Sequence, residues 1–246
     1  MSEKSRLGGH LYDRAHRPYA ARRGLWSWEA AWFERRLPAA PATILLGGAG
    51  CGREALALAR RGYRIDAFEP AVQLARRCQM ALSSEPHGHR VLVGCYEDLS
   101  RAILDHADHG QDGNPLASLA RKQACYDAVV MGWSSITHVL AARERERLVQ
   151  AADRLSPNGP ILLSVILHVA LEHAQSSRIR RFAGNAGELI GRLRGVPDEE
   201  RDHTFSRQTG FSHSFSAHEV DQLAGSIGRR VIWEADPGFV HLTLLR

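Results

Sequence analysis

The sequence predicts an α/β fold built on a mostly parallel sheet, and three features carry that prediction. Short apolar stretches alternate with alanine- and leucine-rich helical ones; the glycine-rich run Gly47-Gly48-Ala49-Gly50-Cys51-Gly52 directly follows the first apolar stretch; and the chain ends in two strand-like runs divided by Asp236-Pro237-Gly238. Strand–helix alternation with a glycine turn after the first strand implies a Rossmann-like three-layer arrangement. With 246 residues, 44% of them apolar and 24% charged, the chain suits one sizeable α/β domain and falls outside the disordered, collagen-like and coiled-coil classes.

Residues Met1 to Arg23 are polar and arginine-rich, after which Leu25 to Leu37 sets Trp26, Ala30, Trp32 and Phe33 at spacings that share one helix side, ending before Pro38. Residues 1–40 therefore read as a helical lead-in or lid, ahead of a main domain over 41–246. There, Ala42 to Leu46 is a first strand, and Glu54 to Arg61 a helix beyond the glycine turn. Arg64 to Phe68 and Arg90 to Val93 are the second and third strands, with a helix from Val72 to Leu82 between them. A helix from about Asp98 to His106 and a polar stretch from Asp105 to Pro115 precede the fourth strand, Tyr126 to Met131. Glu144 to Leu155 is helical, and the turn Ser156-Pro157-Asn158-Gly159 leads to a fifth strand, Ile161 to Ile166. Regularity then breaks: Glu172 to Arg194 is helical and Gly195 to Gly210 an irregular charged connection, so about 168–212 reads as an insertion. The helix Ala217 to Ile227 and the strands Arg230 to Glu234 and Val240 to Leu245 complete the chain.

The net charge of +5 comes almost wholly from dispersed arginines, lysine occurring only at Lys4 and Lys122, and no polybasic run supports nucleic-acid binding. Cys51, Cys78, Cys95 and Cys125 form no C-x-x-C pair and no disulfide framework. The N-terminus lacks a signal-peptide apolar core, and the longest apolar stretch, Ile161 to Leu167, is far too short for a membrane span, so a cytoplasmic protein with no membrane contact is expected. Asp105, His106, Asp108, His109 and Asp112 carry metal-ligand types, but in a polar, glycine-bearing connection that reads as a solvated loop; no metal is expected.

The glycine turn is the informative motif. It has no lysine after Gly52, as a P-loop requires, and it has Arg53 where a dinucleotide fingerprint requires Gly or Ala. What remains is G-x-G-x-G over Gly48 to Gly52, with an acid, Glu69, ending the next strand, where a carboxylate can accept from two vicinal ribose hydroxyls.

This arrangement resembles the class I S-adenosylmethionine-dependent methyltransferases. The resemblance runs from about Ile44 to the C-terminus, through Glu69-Pro70, Gly94-Cys95-Tyr96-Glu97-Asp98-Leu99, Tyr126-Asp127-Ala128-Val129-Val130 and Leu155-Ser156-Pro157-Asn158-Gly159 in the family's order. It implies a seven-stranded sheet whose last strand is antiparallel, with S-adenosylmethionine as cofactor. Carried over position by position, it places Gly48, Ala49 and Gly50 under the cofactor's amino-acid part, Glu69 with Pro70 at the ribose, Tyr96, Glu97 and Asp98 around the adenine, and Gly132 and Trp133 beside the methionine end. Trp133 to His138 is similar to the corresponding stretch of small-molecule N-methyltransferases, amino-sugar dimethyltransferases among them. Two positions depart from the family: Leu46 stands where an acid is common two residues before the first motif glycine, and Cys95 where Asp often follows the third strand.

His138, in the loop facing the methyl group in such a fold, is the candidate base, since imidazole titrates near neutral pH. Tyr12 and Tyr19 are candidate acceptor contacts in the N-terminal segment, while packing is the expected role of Trp26 and Trp28. His213 and His218 flank Phe215 on the expected substrate side. Arginines 178, 180, 181, 192, 194, 201 and 207 enrich the insertion, and any that turned inward would favour an anionic acceptor. The expected activity is methyl transfer to oxygen or nitrogen of a small metabolite, by a monomer or homodimer. RNA or protein methylation and a non-catalytic binding role are the alternatives, the first disfavoured by Gly132-Trp133-Ser134 in place of an Asn/Asp-Pro-Pro-aromatic turn.

Overall fold

The computed structural model describes residues 24–105, 113–120, 126–167, 203–206, 210–234 and 240–246. Its seven-stranded sheet contains β1 (Thr43–Gly47), β2 (Arg64–Glu69), β3 (Arg90–Val93), β4 (Ala128–Met131), β5 (Ile161–Val165), β8 (Arg230–Glu234) and β9 (Val240–Leu245) in the order β3-β2-β1-β4-β5-β9-β8. All neighbours pair in parallel except β9, which runs antiparallel to both β5 and β8. The Rossmann-like architecture with an antiparallel last strand is thus the one expected.

Period-two alternation along the central strands builds two cores, because successive side chains leave opposite faces of the sheet. Leu45, Val129, Met131, Ile161, Leu163 and Leu242 point to one face, where they meet α4 (Tyr96–Leu104), α6 (Ala142–Leu155) and α7 (Ala217–Ser226). Ile44, Leu46, Ala128, Val130 and Leu162 point to the other, under α1 (Ser27–Arg36), α2 (Arg53–Ala59) and α3 (Val72–Leu82). Near-continuous burial along β1, β4 and β5 follows from helices covering both faces.

Helix α1 is fastened along β8 and β9 by a stripe with helical spacing. Trp28 stacks on His241 with ring centroids 3.7 Å apart, the Trp32 indole N–H donates to Thr243 at 3.1 Å, and Arg35 and Arg36 pair with Glu234. The lead-in helix is therefore part of the sheet's packing. Trp32 and Phe33 are buried as predicted, whereas Trp26 is 44% exposed: it sits at the cap, outside the regular turn that the spacing assumed.

Two further expectations are corrected. Helix α4 begins at Tyr96, not Asp98, because the Asp98 carboxylate accepts from the Cys95 backbone N–H at 3.1 Å and closes a capping box at the residue after Gly94. The end of the insertion is not irregular: β6 (His203–Ser206) and β7 (Gly210–His213) pair as an antiparallel ribbon. A short helix, α5 (Ala117–Ala120), follows the polar stretch. The remainder of the insertion, the Asp236-Pro237-Gly238 turn and the His106 to Asp112 loop lie outside the described residues; among those described, no cluster of His, Cys, Asp and Glu could hold a metal, and no helix is long and apolar enough to cross a membrane.

At the far end of the sheet, buried Arg229 donates to the carbonyls of Ser156, Pro157 and Gly159 and to Asp153, locking the Ser-Pro-Asn-Gly turn before β5. Replacing Arg229 by Met is expected to lower stability by about 2 kcal/mol in chemical denaturation, since several buried acceptors lose their donor at once.

Candidate cofactor and acceptor site

The glycine turn leaves β1 at the carboxyl edge of the sheet, with Gly48, Gly50 and Gly52 all at positive φ (64°, 55° and 91°). At Gly47 a Cβ would stand 2.7 Å from the Tyr96 ring, and at Gly48 one would stand 2.6 Å from the Ser135 Cβ. At Gly50, by contrast, a Cβ would meet nothing within 4 Å among the described residues, so no described side chain crowds that side of the turn. A Gly52 side chain would meet Cys78, which is why the turn also lacks one at that position.

Glu69 braces this turn. One carboxylate oxygen accepts from the Gly50 N–H at 2.8 Å and the other from the Ala71 N–H at 2.9 Å, beyond Pro70. These two backbone donors fix the orientation of the carboxylate at the carboxyl end of β2.

Tyr96 turns inward, packing edge-on against Phe68 at 5.3 Å while its hydroxyl lies 2.6 Å from the Ser135 hydroxyl. Asp98 caps α4, also accepting from the Cys95 thiol at 3.1 Å, and burial together with the Glu97 and Asp98 carboxylates pushes that thiol's pKa far up. Of these three residues, only Glu97 is partly exposed. Cys51 is buried beside Ala71 and Leu74 as a space filler.

After β4, Gly132 is followed by Trp133 and Ser134, both non-glycine residues at positive φ (48° and 57°). Two consecutive residues there cost roughly 1–3 kcal/mol each. The turn is held by the Ser135 N–H donating to the Gly132 carbonyl and by the Thr137 hydroxyl donating to that of Ser134. Its consequence is a projecting Trp133, whose ring runs nearly parallel to those of Trp26 and Trp28, at 6.1 and 6.3 Å, with the Arg53 guanidinium 5.1 Å from its centroid.

Arg53 is the hub beneath that ring. It pairs in bidentate fashion with Glu29 of α1 and donates to Glu54 of α2 at 2.8 Å, all three residues being buried. Burial raises the Glu54 carboxyl, opposed by the charge of Arg53. Glu29 and Glu54 escaped sequence reasoning because these contacts join α1 to the glycine turn across 24 residues of chain; Arg53 was legible only as a departure from the dinucleotide pattern.

His138 ends the short 3-10 turn Ser135–His138, and its Nδ1 lies 2.9 Å from the Phe211 carbonyl oxygen of β7. A carbonyl only accepts, so Nδ1 carries the proton and Nε2 is the acceptor nitrogen. Burial depresses the His138 pKa, keeping the ring neutral. His213 belongs instead to a buried network in which Nε2 lies 2.8 Å from Glu219, itself paired with Arg145; burial would raise the Glu219 carboxyl, but these partners hold it low. His218 is exposed on α7, and Tyr12, Tyr19 and arginines 178 to 207 lie outside the described residues.

No protein-family model matches the sequence, and no curated protein matches it. Solved structures do. The CcbJ methyltransferase of Streptomyces caelestis superposes with a TM-score of 0.62 at 15% identity, covering 99% of each chain. An SAM-dependent methyltransferase of Methanosarcina mazei gives 0.58 at 17% identity over 90% of this chain and 98% of the other. Magnesium protoporphyrin IX methyltransferase of Synechocystis, with SAM bound, gives 0.51 at 12% identity over 89% and 78%. The chain has the fold of the class I SAM-dependent methyltransferases.

Proposed function

We propose that this protein binds S-adenosylmethionine and transfers its methyl group to oxygen or nitrogen of a small metabolite. The observation that carries the reading is Glu69, set at the carboxyl end of β2 with both oxygens anchored by backbone N–H groups, one of them that of Gly50, where a Cβ would meet no described side chain within 4 Å. That geometry suits a ribose diol over a glycine cradle. Glu69 would hold the ribose, the backbone of Gly48, Ala49 and Gly50 the amino-acid part, and Gly132 and Trp133 the methionine end. Glu97 would take the adenine edge, with Tyr96 and Asp98 shaping the turn from behind.

The cofactor supplies an electrophilic methyl group when bound; the protein's contribution is to position the acceptor, exclude water and accept a proton. Neutral His138, oriented by Phe211, presents Nε2 as the base, and α1 with Trp26, Trp28 and Trp133 forms the cover. Residues 1–40 act as a lid in this reading, with Tyr12 and Tyr19 touching the acceptor.

Isothermal titration with S-adenosylhomocysteine is expected to show micromolar binding, and Glu69→Ala to weaken it by roughly 10- to 100-fold through loss of hydrogen bonds to a charged group. Absence of binding, with NADH binding in its place, would overturn the reading. Binding without turnover across a screen of small amines, alcohols and carboxylates would favour the non-catalytic alternative.

A further inference from the structure

We propose that Glu54 receives the ammonium of the cofactor's amino-acid part, taking the place of the acid that this chain lacks at Leu46. The proposal rests on the S-adenosylmethionine reading above. Leu46 cannot serve: it is 1% exposed and its side chain lies in the core beneath α1. Glu54 reaches the same edge of the sheet from the other side of the turn. Its Oε1 lies 3.3 Å from where a Gly132 Cβ would stand, so the carboxylate borders the backbone that leaves β4, and Gly132 keeps the space before it clear.

Charge gives the second argument. Glu29 and Glu54 surround one guanidinium, and all three residues are buried, with relative exposures of 1%, 7% and, for Arg53, 9%. Glu29 takes Arg53 through both of its terminal nitrogens and also accepts from the Trp26 N–H at 2.9 Å, whereas Glu54 receives one Arg53 bond. With both carboxylates ionised, the cluster carries one negative charge more than Arg53 balances. A surplus buried charge is costly unless a proton or a cation compensates it. An ammonium has the right charge and several N–H donors for the acceptor sites that a carboxylate offers, and no described side chain stands within 4 Å of a Cβ at Gly50 in the same turn. Among the described residues Arg53 and Glu29 act on the Glu54 carboxyl, and Glu54 adds to the burial and the Glu69 carboxylate that push the Cys78 thiol of α3 far up.

The test compares ligands that share the nucleoside and thioether and differ in the amino-acid end: S-adenosylhomocysteine, its α-deaminated analogue and 5′-methylthioadenosine. Glu54→Gln keeps a side-chain oxygen for Arg53 and removes the charge. It is expected to weaken S-adenosylhomocysteine by roughly 10- to 100-fold while leaving the other two ligands within about 3-fold of the wild-type values. Equal losses for all three ligands would make Glu54 a structural partner of Arg53 and overturn the proposal. Should the variant fail to fold, the wild-type protein decides: a deaminated analogue binding as tightly as S-adenosylhomocysteine overturns the proposal, and a roughly 10-fold or greater loss supports it. If the wild-type protein bound none of the three, the cofactor reading itself would fall and the proposal with it, an outcome separate from unequal binding.

Discussion

Acidification from pH 7 to pH 4 is expected to remove about 3 kcal/mol of folding stability through His241 alone. This imidazole is 1% exposed on β9, stacked on Trp28 and tilted against Trp32, and neither ring nitrogen has a hydrogen-bond partner. Burial lowers its pKa from the ordinary 6.5 to about 4, and the Glu234 carboxylate offsets this only partly. In the unfolded chain the ring protonates near 6.5 while the native state holds it neutral down to about 4. The unfolded state therefore binds more protons in that window, and the contribution is complete above pH 6.5 and lost as pH falls toward 4. Urea denaturation at pH 7, 5.5 and 4 measures it. His241→Phe keeps a flat ring against Trp28 and should flatten the profile by the same amount. His138 and His89, both depressed by burial, add a slope of the same sign to wild type and variant alike, so the difference between the two isolates His241. Identical profiles for both proteins would show that His241 is not buried neutral beneath α1.

The second large effect is at Glu29. Its removal is expected to destabilise the protein by about 3–5 kcal/mol, because breaking a buried pair from one side leaves a charge without compensation. Glu29→Ala deprives Arg53 of its bidentate partner and the Trp26 N–H of its acceptor, and it detaches the start of α1 from the glycine turn. Arg53→Met combined with Glu29→Leu and Glu54→Gln should recover a large part of the loss, since no charge is then left buried without a partner. A Glu29→Ala variant as stable as wild type in thermal and urea unfolding would show that α1 is held by the Trp28, Trp32 and Glu234 contacts without this ion pair.

Local chemistry made much of the molecule legible before any coordinates. Strand periodicity identified every strand of the main sheet within two residues at either end, because β1, β4 and β5 are apolar on both faces and a short apolar run between helices has no other stable place. Gly48, Gly50 and Gly52 announced a turn because each needs positive φ, and Glu69 marked the end of β2 because an acid there has to leave the sheet. Errors gathered where one residue's role depends on a distant one. Spacing alone sets Trp26 on one helix side with Trp32 and Phe33, yet Trp133, brought up by a turn 107 residues further along, gives it a partner at the surface. Asp98 also caps a helix, since Cys95 offers it two donors three residues away.

By itself the sequence determined the α/β class, the parallel order of elements and the turn that a nucleoside cofactor would occupy, since backbone conformation and hydrophobic periodicity are set within a few residues. The tertiary structure alone decided that Glu29 and Glu54 share one arginine beneath Trp133, that burial keeps His138 neutral while the Phe211 carbonyl orients its ring, and that His241 is sealed under Trp28. Charge balance and desolvation depend on what stands within a few ångströms in space, and no spacing along the chain encodes that.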